Sequence, residues 1–145
     1  MLYDERGLGG EGAGVPWREV VVVEDDPDLL RLVEIIIKDS TGLKIRSFTS
    51  CEGALRAFDA GLRPAVIVFD VLMPGVDGNE LLRRRNELFP DVPAIAVTAS
   101  PQAIRVPGAS LVLTKPFRPA DLAKAIEAAV LRPSEFVSKS PHAEE

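Results

Sequence analysis

The 145-residue chain, 46% apolar and 27% charged, is long enough for one self-supporting core and short for two ordinary domains. A single cysteine, Cys51, excludes an internal disulfide and a cysteine-rich zinc site, and a single histidine, His142, excludes histidine triads and histidine-ligated metals. Its 17 basic against 22 acidic residues (net charge −5) argue against nonspecific nucleic-acid binding, and with no apolar run near ~20 residues and no signal-peptide core a cytoplasmic, non-membrane protein is expected.

Residues 1–16 hold five of the 11 glycines among charges and are read as a flexible N-terminal tail, too poor in apolar surface to offset the entropy of ordering. The folded unit then runs from Trp17 to Leu131, and residues 132–145, aperiodic and rich in serine, proline and charge, are read as a flexible C-terminal tail. Val20–Val23 is an unbroken β-branched run, the pattern of a strand buried on both faces. Asp26-Pro27 supplies an N-cap and a first-turn proline for a helix whose Leu29, Leu30, Val33, Ile36 and Ile37 recur at helical spacing up to Gly42. A strand over Leu43–Phe48 follows, then a helix opened by Ser50 and ended at Gly61, and a second fully buried strand, Ala65–Phe69. After the turn Pro74–Gly78 come a helix (Asn79–Leu88), strands at Ala94–Val97 and Leu111–Leu113, and a closing helix, Pro119–Leu131. Repeated βα units imply right-handed crossovers and a doubly wound α/β domain with a parallel sheet.

In such sheets ligands bind beyond the carboxyl ends of the strands, so the residues closing each strand carry the functional signal. They are Glu24-Asp25-Asp26, Asp70, Thr98 and Thr114-Lys115-Pro116. With the first and third strands adjacent, Glu24, Asp25 and Asp70 converge, and three crowded carboxylates require a compensating cation. Lys115 offers one charge; a divalent ion offers two, and oxygen-only donors suit Mg²⁺ or Mn²⁺. A carboxylate, a cation, a hydroxyl and a lysine together fit phosphoryl transfer onto Asp70, with Thr98 donating to a transferred oxygen. The acidic first loop argues against a nucleotide-phosphate site, which it would repel.

From about Glu19 to Leu131 the chain resembles the receiver domain of bacterial two-component response regulators, of the stand-alone chemotaxis-regulator kind. The matching segments are VVVEDDPDLL (21–30), VFDVLMPGVDG (68–78), VTAS (97–100) and LTKPF (113–117). The resemblance implies a five-stranded, flavodoxin-like sheet of order 2-1-3-4-5. It also implies Asp70 as phospho-acceptor, Asp25 as a direct Mg²⁺ ligand, Glu24 acting through water, and the Leu72 backbone carbonyl as a further ligand. Thr98 would be the switch hydroxyl and Lys115 the phosphoryl-binding lysine, with Lys115-Pro116 a cis peptide. Such a module takes its phosphoryl group from a sensor histidine kinase or a histidine phosphotransfer protein. It catalyses its own phosphorylation and slow dephosphorylation and is not otherwise an enzyme.

Two departures from that pattern stand out. Ala99–Gly108 contains Pro101 and Pro107, leaving at most Gln102–Val106 for a helix, so the fourth helix is expected to be shortened or missing. Three residues before Lys115, where the family places Tyr or Phe, stands Val112. Little apolar surface is then left for a dimer on that side, and a monomer is expected. It would signal through an unknown downstream protein or relay phosphate, and no DNA-binding domain is expected after Leu131. The alternative is a receiver-like adaptor that is never phosphorylated, against which the complete acceptor set speaks. An aspartate-based phosphatase would want a second acid where Leu72 stands. Asp26 is read as an N-cap, Arg83-Arg84-Arg85 as a solvated face, and Cys51, placed away from the strand ends, and His142 as without a role.

Overall fold

The structure, a computed structural model, describes residues 19–138. The expectations for the N-terminal tail, Trp17 and His142 therefore lie outside the described residues. Five strands are present: β1 (Glu19–Val23), β2 (Ile45–Phe48), β3 (Pro64–Phe69), β4 (Ala94–Thr98) and β5 (Leu111–Thr114). The helices are α1 (Pro27–Thr41), α2 (Cys51–Asp59), α3 (Gly78–Leu88), α4 (Pro119–Leu131) and α5 (Pro133–Ser138). All strands are parallel, in the order β2-β1-β3-β4-β5, as expected.

The local causes are readable. Asp26 accepts the N–H groups of Asp28 and Leu29 at the head of α1, and Gly42, at φ +69°, turns the chain out of it. One apolar layer joins α2 and α3 to the sheet through Ala54, Phe58, Leu81, Leu82, Ile67 and Phe69. The other joins α1 and α4 through Val33, Ile37, Val66, Val68, Leu122 and Ile126. Because both faces are covered, every residue of β1 and β4 is buried. Among the described residues no helix is long and apolar enough to cross a membrane.

Three expectations shift. The segment read as a tail from residue 132 begins with α5, whose Phe136 packs against the α1/α4 core. The strand read as starting at Leu43 pairs only from Ile45, and the last strand runs one residue further than expected, to Thr114. The arginine run is not a solvated face throughout. Arg83 pairs with Glu80 and Arg84 with Asp59, but Arg85 is only 3% exposed and donates to the carbonyls of Pro90 and Gly108. Burial pulls the Arg85 guanidinium down to about 10, against the opposing pull of Asp91.

The connection from β4 to β5 has no α-helix, only a 3₁₀ turn at Pro101–Ala103. Side chains of α3 hold it instead. The Asn79 carboxamide donates to Ala103 O (3.0 Å) and accepts from the N–H groups of Arg105 (2.7 Å) and Val106 (3.3 Å). Asn86 donates to Pro107 O (2.8 Å), next to the Arg85–Gly108 bond. Fastened this way, Ala103, Ile104, Val106 and Ala109 cover the sheet face that a helix would otherwise shield.

Candidate functional site

The ladder of the sheet continues one residue past the strands and so sets the site. Glu24 N–H donates to Phe48 O (3.0 Å), Asp70 N–H to Val23 O (3.2 Å), and Lys115 N–H to Thr98 O (2.9 Å). Glu24, Asp70, Thr98 and Lys115 thus stand at the carboxyl ends of β1, β3, β4 and β5. Lys115-Pro116 is cis.

The Lys115 ammonium bridges two carboxylates, lying 2.6 Å from Asp70 Oδ2 and 3.2 Å from Glu24 Oε1. Their other oxygens are held locally: Asp70 Oδ1 accepts Leu72 N–H (3.1 Å), and Glu24 Oε2 accepts Asp26 N–H (3.1 Å). Both acids are buried, Glu24 at 5% and Asp70 at 7% exposure, so the lysine is their only nearby cation among the described residues. Burial raises the Glu24 carboxyl above its usual range, and the neighbouring Asp70 charge adds to this. The Asp26 N–H and Lys115 pull it down without prevailing. Burial disfavours a charged Lys115, but Asp70 and Glu24 together outweigh it and hold the ammonium above its ordinary value. Thr98 is fully buried, and its hydroxyl oxygen accepts Ser100 N–H (3.1 Å).

Glu24, Asp70 and Lys115 are therefore brought together, whereas Asp25 stands beside them at the exposed rim. Among the described residues no three His, Cys, Asp or Glu side chains form a ready metal cluster. The expected trio is a bridged pair with a third acid alongside. The side chains of Glu24 and Asp70, with Asp25 next to Glu24 in the chain, offer only hard oxygen donors, the chemistry that suits Mg²⁺ or Mn²⁺.

A family model described as the response regulator receiver domain matches residues 20–127. The chain belongs to that family. This receiver is 40% identical over 113 residues to protein-glutamate methylesterase/protein-glutamine glutaminase 2 of Burkholderia thailandensis, covering 72% of the chain and 32% of that protein. It spans only about a third of that relative. It is 34% identical to an uncharacterized 14.6 kDa protein of Leptolyngbya boryana, covering 75% of the chain and 87% of the relative. Among solved structures it superimposes on the response regulator TrrA of Thermotoga maritima in complex with Mg²⁺-BeF, with TM-score 0.65 and 23% identity over 76% of this chain and 96% of that one.

Cys51 is nearer the receiver site than its place in the sequence suggested. It is fully buried, 4.0 Å from Met73 Sδ in the loop after Asp70. Burial, with the charges of Asp77, Glu52, Asp70 and Asp25, pushes its thiol up to about 12 and keeps it inert. A signal for this existed: a helix that follows a parallel strand begins at the carboxyl edge of the sheet, and Cys51 opens α2. Arg85 also carried one, since it lies four residues past Leu81 and three past Leu82 on the apolar stripe of α3. Nothing local pointed to Asn79, whose partners lie 24 to 27 residues away.

Proposed function

We propose that this receiver accepts a phosphoryl group on Asp70 from the phosphohistidine of a sensor histidine kinase or a histidine phosphotransfer protein. The observation that carries the reading is the Lys115 ammonium held 2.6 Å from Asp70 Oδ2 at the end of a buried strand. An Asp70 carboxylate oxygen bonds to phosphorus as the donor's P–N bond breaks, the electron pair staying on the imidazole nitrogen. Lys115 stays protonated because two carboxylates outweigh its burial, so a full positive charge stands beside the new acyl phosphate. Thr98, whose hydroxyl oxygen accepts Ser100 N–H, keeps its own O–H to donate to a phosphoryl oxygen. Mg²⁺, held by Asp25, Asp70 and the Leu72 carbonyl with Glu24 acting through water, would supply charge neutralisation of the transferred group. The reading is of a cytoplasmic signalling module that modifies itself and then contacts a downstream protein or passes the phosphoryl group on.

Acetyl phosphate with Mg²⁺ should add one phosphoryl mass, labile to hydroxylamine, and Asp70→Asn should add none. Equal uptake by Asp70→Asn would overturn the assignment. Mg²⁺ alone should raise Tm, since only the native state assembles the ligands; at about 100 times its Kd the gain is about 2.7 kcal/mol. Asp25→Ala should abolish most of that rise, and an equal rise in both proteins would remove Asp25 from the site.

A further inference from the structure

We infer that Asn79 is a positioning residue, which sets the reach between Thr98 and Lys115 by fixing the connection that joins their strands. The inference rests on the phospho-acceptor reading for its effect on chemistry, but not for its geometry. Asn79 is nearly buried, 4% exposed, and spends its whole side chain on that connection: one donated bond to Ala103 O and two accepted, from Arg105 and Val106 N–H. A full helix would satisfy these backbone groups internally; a single 3₁₀ turn cannot. The carboxamide is suited to the task because it offers a donor and an acceptor at once.

The anchor also sits next to the acceptor. Gly78 is packed so closely that a Cβ there would lie 2.8 Å from Asp70 O and 2.7 Å from Val71 Cα, and Gly78 N–H donates to Val71 O (2.8 Å). Asp77 caps α3 by accepting Asn79 N–H (3.0 Å) and meets Arg105 of the connection at 3.6 Å. A short chain of contacts therefore runs from Asp70 through Gly78 and Asn79 to residues 103–106. Their segment leads back to Thr98 through Ser100 and forward to Lys115 through β5. Thr98 and Lys115 are themselves tied by the Lys115 N–H to Thr98 O bond. A loosened connection would therefore be felt at both.

The test is amide exchange and phosphorylation in Asn79→Leu, which keeps the volume and loses every bond, and in Asn79→Asp, which can still accept from Arg105 and Val106 but replaces the donor to Ala103 O with an oxygen. Exchange at Arg105 and Val106 should quicken about tenfold or more in Asn79→Leu, the expected result of unmaking buried hydrogen bonds. It should also quicken at Ser100 and Lys115, and the maximal phosphorylation rate from acetyl phosphate should fall several-fold, with Asn79→Asp, its new oxygen facing Ala103 O, impaired in both as well. Exchange changes confined to residues 103–106, an unchanged rate, or an Asn79→Asp indistinguishable from wild type would each overturn the inference. Should Asn79→Leu fail to fold, Asn79→Ser serves as the truncation. If the wild type takes no phosphoryl group, the phospho-acceptor reading fails, and the exchange pattern still decides whether Asn79 holds Ser100 and Lys115.

Discussion

Lys115→Met should melt well below the wild type at pH 8 in Mg²⁺-free buffer, and the gap should narrow as the pH falls toward 4. The substitution keeps the aliphatic stem and removes the charge that bridges Asp70 and Glu24, leaving two carboxylates at 7% and 5% exposure facing each other. Removing one partner of a buried pair costs about 3 kcal/mol, or about 10 °C in Tm for a chain of this size. The pH dependence has a definite sign. The Glu24 carboxyl is already raised above 4.5 in the wild type by burial, and without Lys115 it rises further. A carboxyl raised by folding contributes stability that is fully present below its unfolded value and is lost as the pH climbs through its folded value. The variant therefore recovers as the pH falls toward 4.5, where Glu24 takes up its proton. The wild type has the complementary behaviour at the other end. Its Lys115 is raised above 10.5, so what the bridge contributes disappears only as the pH rises past that folded value. Added Mg²⁺ should restore part of the loss at pH 8. Thermal melts between pH 4 and 8 decide the matter, and a gap independent of pH would show that the lysine acts by packing alone.

Gly78→Ala should cost about 3 kcal/mol, at the upper end of overpacking penalties, even though alanine is favoured over glycine in a helix by about 1 kcal/mol. The new methyl would meet Val71 Cα at 2.7 Å, Asp70 O at 2.8 Å and Phe69 Cδ2 at 2.9 Å. Two of these three atoms are backbone, so no side-chain rotation relieves the clash. Because one is the acceptor's own carbonyl oxygen, uptake of phosphate from acetyl phosphate should also slow at least tenfold. Gly53→Ala is the control. Its methyl finds only Phe48 Cδ1 and Ser50 Oγ at 3.4 Å, so it should gain about 0.5–1 kcal/mol. Urea denaturation of the two variants should give opposite signs; a gain in both would mean that α3 sits farther from Asp70 than described.

What could be read from the sequence followed from burial on both faces and from chain-local chemistry. Val20–Val23 and Val66–Phe69 announce themselves because a strand covered on both sides needs no polar alternation. Asp26-Pro27 announces α1 because a cap acts over three residues. Glu24, Asp70, Thr98 and Lys115 were placeable because each closes a strand, and the order of the strands then assembles them. Which charge meets which was harder to read. Three acids suggested a shared ion, but the geometry gives Lys115 to two of them and leaves Asp25 at the rim. Arg85 and Asn79 escaped because a polar residue on a helix ordinarily faces water. Their partners belong to a connection whose path depends on the whole sheet being formed.

The clasp between α3 and the 99–108 connection means that neither segment can be exchanged without the other. Exchanging the connection for a longer one with a complete helix would remove the carbonyls of Pro107 and Gly108 from Asn86 and Arg85, and would strand a guanidinium that is only 3% exposed. Its Nε already lacks a partner, so little is left to solvate it. Position 108 is constrained from the other side. Gly108 adopts φ +116°, and a Cβ there would lie 2.6 Å from Asn86 Oδ1, so the short connection tolerates only glycine where α3 carries this asparagine. Changes at positions 79, 85, 86 and 108 should therefore be strongly non-additive.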